Sequence, residues 1–77
     1  MKISFRLFAN FRSFSPSTDG CGELELAEGS TVRTVADALQ IPPETERVIL
    51  LNGHYAKEDI LLSEGDGLIF FPPMTGG

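Results

Sequence analysis

Polar and apolar residues alternate strictly at the start of the chain. Ile3, Phe5 and Leu7 share one side, while Lys2, Ser4, Arg6 and Phe8 share the other. A period of two marks a strand with one buried face. Phe8 breaks the polar side. Alternation returns over residues 23–27, with Glu23 and Glu25 outward and Leu24 and Leu26 inward. The two runs are expected to pair antiparallel. Residues 9–22 join them in a long connection rich in Ser, Asn, Pro and Gly, residues that favour turns. Phe11 and Phe14 within it are expected to fold back onto the edge of the core.

The period then changes. Val32, Val35, Ala36 and Leu39 recur at helical spacing, which predicts one amphipathic helix of about nine residues. Thr31, or Ser30 before it, is the expected N-cap, because a hydroxyl there accepts from a first-turn N–H. Pro42 and Pro43 stop the helix, and Pro42 pushes Ile41 extended. Residues 47–51 form the third strand, with Ile49 and Leu51 on one face and Val48 and Leu50 on the other. Asn52-Gly53 is a hairpin signal, since both residues take positive φ. Residues 54–56 return as a short strand. Residues 57–62 form an irregular or briefly helical segment that tucks Leu62 inward. Gly65-Asp66-Gly67 turns the chain into the last strand, with Leu68 and Phe70 inward and Ile69 and Phe71 outward.

One helix laid across one mixed sheet is an α+β roll. With the first, third and last strands as neighbours, Phe8, Leu50, Ile69 and Phe71 gather on the side away from the helix. A contiguous apolar patch of this kind, leading into the tail, is the expected docking surface; cover by the 9–22 connection or self-association is the alternative.

Composition narrows the possibilities. Seventy-seven residues make a single domain, residues 1–77. A net charge of −5 argues against nucleic acid, which selects a basic face. It also disfavours anionic membrane surfaces. The longest apolar runs, such as 48–51, are too short to span a bilayer. The single cysteine, Cys21, cannot form an internal disulfide or hold a metal by itself. A cytoplasmic setting is expected. Cys21 reads as an incidental exposed thiol, and no metal site is expected.

Catalytic groups are scarce. His54 is the only histidine and reads as a solvated turn residue. Glu58-Asp59 reads as a solvated charge run. No nucleophile, base and orienting acid can be assembled into a set. No GxxxxGK(S/T) phosphate loop occurs.

The end of the sequence is the chemical feature that remains. Pro72-Pro73-Met74-Thr75-Gly76-Gly77 is expected to form a flexible tail over residues 72–77, with a free carboxylate on Gly77. Six extended residues reach about 20 Å. The prolines stiffen the base of the tail, and the glycines leave its tip thin.

Strand, strand, helix, strand, short strand, final strand, followed by Gly-Gly, resembles the ubiquitin-like β-grasp, a sheet of four to five strands on one helix. Leu7-Phe8-Ala9 with Phe11-Arg12 resembles the first-strand motif of the molybdopterin synthase small subunit. Ser63-Glu64-Gly65-Asp66 is similar to the turn before the last strand in that family. Phe71-Pro72-Pro73-Met74-Thr75-Gly76-Gly77 resembles its tail, although Met74-Thr75 departs from the commoner pair of small residues. The long connection with Phe11-Arg12 resembles the molybdopterin type more than the thiamin type of the MoaD/ThiS sulfur carriers.

The resemblance implies a reaction cycle. A ubiquitin-activating-type enzyme adenylates the Gly77 carboxylate with ATP. Sulfur then replaces AMP to leave a thiocarboxylate, and a molybdopterin synthase large subunit takes the sulfur. The chain itself then binds no cofactor; ATP and its Mg are held by the partner. Gly76 and Gly77 are the reacting end. Phe8, Leu50, Ile69, Phe71, Pro72, Pro73, Met74 and Thr75 are the partner-binding residues. Three alternatives stand beside this reading: a thiamin-pathway carrier, a ubiquitin-like modifier joined through Gly77 to lysines, and a β-grasp interaction module without C-terminal chemistry.

Overall fold

A computed structural model describes residues 1–15 and 19–73. The elements, in order, are β1 (Lys2–Leu7), a 3₁₀ helix (Ala9–Phe14), β2 (Cys21–Glu25), α1 (Val32–Ala38), β3 (Val48–Leu51), β4 (His54–Tyr55) and β5 (Gly67–Phe71). The sheet runs β2-β1-β5-β3-β4. β1 and β5 are parallel, and the other pairs are antiparallel. The last strand therefore lies in the centre, between the first and the third. This is the α+β roll expected from the order of elements.

Alternation determines which side chains meet α1. Ile3, Phe5 and Leu7 of β1, Ile49 of β3, and Leu68 and Phe70 of β5 are buried in one core with Val32, Val35, Ala36 and Leu39. Each large side chain fully removed from water contributes roughly 1.5–3 kcal/mol. Leu62 joins the core from the 57–62 segment, as anticipated.

Thr31 caps α1: its backbone N–H donates to Thr34 Oγ1 at 3.0 Å, one half of a capping box. The helix ends sooner than its spacing implies. Gln40 takes φ 61°. Its N–H donates to the Asp37 carbonyl, and that of Ile41 to the Ala36 carbonyl, both at 3.0 Å. These paired bonds close the last turn in the Schellman pattern, with Gln where Gly is usual.

The first part of the connection after β1, residues 9–14, is more regular than its composition implies. The 3₁₀ helix carries Phe11 into the core, where it is fully buried, and Phe14 packs against the core from its edge. Ala9, at φ 54°, turns the chain off β1. The chain returns tightly, with Leu7 N–H donating to the Gly20 carbonyl at 2.7 Å. A Cβ on Gly20 would lie 2.4 Å from the Leu7 carbonyl oxygen, so only glycine fits there. β2 then begins at Cys21 rather than at residue 23. Cys21 is thus a half-buried strand residue rather than a loop thiol.

Candidate functional site

The sheet face turned away from α1 collects the residues expected there. Ile69 of β5 stands opposite Arg6 of β1 on one side and Leu50 of β3 on the other. Phe71 stands opposite Val48. Phe8 continues the alternation of β1 one residue past the strand, and its N–H donates to the Phe70 carbonyl at 3.1 Å. Phe8 is 45% exposed, while Leu50, Ile69 and Phe71 are half-buried. Phe8, Leu50, Ile69 and Phe71 therefore share one face.

Two further apolar residues belong to that face. Val48 follows from alternation alone, since it lies two residues before Leu50 in β3. Tyr55 faces Leu50 across the β3–β4 hairpin and is 83% exposed. Its place depends on the register through Asn52-Gly53, so only the hairpin geometry reveals it. Asn52 takes φ 51° and Gly53 φ 87°, as the turn requires.

The position of β5 is held from below by a polar turn. Asp66 accepts from the Ser63 N–H at 2.7 Å through Oδ2 and from Asn52 Nδ2 at 3.0 Å through Oδ1. Asn52 Oδ1 in turn accepts from the Gly67 N–H at 2.9 Å. The Asp66 carbonyl accepts from Ser4 N–H at 2.9 Å. One carboxylate thus ties the start of β5 to the β3–β4 turn, and its own carbonyl ties it to β1. That fixes the register that delivers Phe71 to the end of the sheet.

Beyond Phe71, Pro72 and Pro73 are half-buried. Pro73 lines a shallow cavity of about 410 Å³ with residues 43–47 and Glu58. Here Arg47 Nη2 contacts Glu58 Oε1 at 2.6 Å, and Nη1 donates to the Pro42 carbonyl at 3.1 Å. Arg33 Nε lies 3.8 Å from the same Glu58 oxygen. Glu58 is therefore a structural anchor rather than part of a solvated charge run: the Arg47 side chain is only 5% exposed, and a buried guanidinium requires a partner. Asp59 stays exposed.

Met74, Thr75, Gly76 and Gly77 lie outside the described residues. His54 is exposed on β4. Among the described residues no three of His, Cys, Asp and Glu gather as a metal-binding group. No helix among them is long and apolar enough to cross a membrane.

A family model described as the ThiS family matches residues 5–77. No curated protein matches the chain. The crystal structure of SAMP1 from Haloferax volcanii is similar over 100% of both chains, with 23% identity and a TM-score of 0.80. A putative molybdopterin converting factor subunit 1 from Pyrococcus furiosus has 28% identity over 95% of this chain and 98% of that one, with a TM-score of 0.79. A chain in the complex of subunits 1 and 2 of the molybdopterin-converting factor from Helicobacter pylori is similar over 100% of both chains, with 20% identity and a TM-score of 0.66. The shared fold is the ubiquitin-like β-grasp.

Proposed function

Since the chain belongs to the ThiS family, we propose that it is a sulfur carrier that works through Gly77, most directly in building molybdopterin. One observation carries this reading: the family match runs over residues 5–77 and so includes both the docking face and the Gly-Gly end. A carboxylate is a poor acyl donor and must first be activated. The Gly77 carboxylate attacks the α-phosphorus of ATP, and pyrophosphate leaves. A sulfur nucleophile then displaces AMP from the acyl adenylate to give the thiocarboxylate.

With no phosphate loop in the sequence, an adenylating enzyme of the ubiquitin-activating type supplies the ATP and Mg site. Gly76 and Gly77 present no side chain to that enzyme's cleft. The apolar face then seats the carrier on a large subunit that accepts the sulfur; that a subunit 1 of the same fold forms a complex with a subunit 2 in Helicobacter pylori supports such a partner. Pro72, Pro73, Met74 and Thr75 lead from that face to the reacting carbonyl.

The modifier reading shares the first step, and the fold is also that of SAMP1, so the fold does not separate the two. Both readings require Gly77. Removing Gly77 is expected to abolish ATP–pyrophosphate exchange with the adenylating enzyme while leaving thermal unfolding unchanged. Full exchange by the shortened chain would overturn C-terminal activation in either form.

A further inference from the structure

Arg6 is the one charged residue of β1 that faces the centre of the apolar side. It stands between Cys21 of β2 and Ile69 of β5, with Phe8 next along the same face. Most other cations are provided for, and Lys57, exposed beyond β4, lies off this face. The Met1 amine lies near Glu25, Lys2 near Glu23, and Arg33 and Arg47 near Glu58. Among the described residues, Arg6 has no ion pair and no side-chain hydrogen bond. The chain carries 11 acidic against 6 basic residues, yet none of those carboxylates is set against Arg6.

An exposed arginine in water needs no partner. The situation changes when a protein covers the face. Ile69, Leu50 and Phe71 exclude water from the contact, and Arg6 loses its hydration with them. A desolvated, unpaired guanidinium costs far more than a rim charge. Its planar fork matches a carboxylate through two parallel N–H···O bonds. Accordingly, we propose that the sulfur-accepting large subunit meets Arg6 with an Asp or Glu side chain set within an apolar surface. Arg6 then fixes the orientation of the carrier and selects its partner. The inference rests on the docking reading of the proposed function and adds the chemistry of what docks.

The test is titration calorimetry of the full chain against the large subunit encoded in the same genome. Arg6→Gln, Arg6→Glu and Phe71→Ala are compared with the parent at low and raised salt. Arg6→Gln is expected to weaken binding on the order of 30-fold, the usual consequence of leaving one buried charge without its partner. Arg6→Glu is expected to weaken it further, through like-charge repulsion. Because Arg6 is exposed, the urea midpoint of both variants should stay at the parent value. Binding by Arg6→Gln that equals or exceeds the parent, with Phe71→Ala weakened, overturns the carboxylate and leaves the docking face standing. Parent-like binding by all three variants overturns the docking face itself.

Discussion

Phe70 and Phe71 are consecutive residues of one strand with identical side chains. Phe70 points at α1 and is fully buried among Ile3, Phe5 and Leu7 of β1 and the helix residues Val32 and Val35. Phe71 points the other way and is half-buried beside Val48. Alternation alone separates them. One face of the sheet spends its apolar area on folding. The other carries Phe8, Val48, Leu50, Ile69 and Phe71, although no helix among the described residues covers it. Folding alone does not require that second set, and a small domain gains little by leaving large side chains in water. The contrast places the stability in the inner face and leaves the outer face as the proposed surface for recognition.

The largest effect should come from the inner face. Phe70→Ala is expected to cost about 3–5 kcal/mol of folding stability, through lost transfer energy and the cavity left behind. Such a loss is a large share of the 5–15 kcal/mol typical of a folded protein. Urea unfolding measures it, and a variant as stable as the parent would break the division between the faces. Phe71→Ala sharpens the comparison from the other side. It should cost less than half as much stability, yet weaken large-subunit binding by about 2 kcal/mol, as an aromatic hot spot does. Calorimetry beside urea unfolding separates the two effects. If Phe71→Ala unfolds as readily as Phe70→Ala, the outer face is a second core and not a docking surface.

The two faces also differ in how far they can be read before folding. β1 and β5 announce themselves by strict alternation, and α1 by its 3.6-residue spacing with a Thr cap. Phe8, Leu50, Ile69 and Phe71 follow from those periods and from strand order. Tyr55 does not, because its place is set by pairing across a turn. The 3₁₀ helix is equally hidden. Six residues are too few to show a period, and Phe11 is buried because the chain returns at Gly20, not because of its immediate neighbours. The early start of β2 has a similar cause. Gly22 is a poor strand former, but the Phe5 ring occupies the space its Cβ would fill, at 2.5 Å. Glu58 looked solvated because its partners, Arg33 and Arg47, come from distant parts of the sequence.

The chemistry assigned to the tail is tested most directly by the intact mass of the protein isolated from its native cell. A sulfur carrier is expected to show a fraction heavier by the exchange of one oxygen for sulfur, with the change localised to Gly77 by fragmentation. That fraction should disappear when the adenylating enzyme is deleted. A population consisting only of the unmodified carboxylate, or of Gly77 joined to lysines of other proteins, would contradict the carrier.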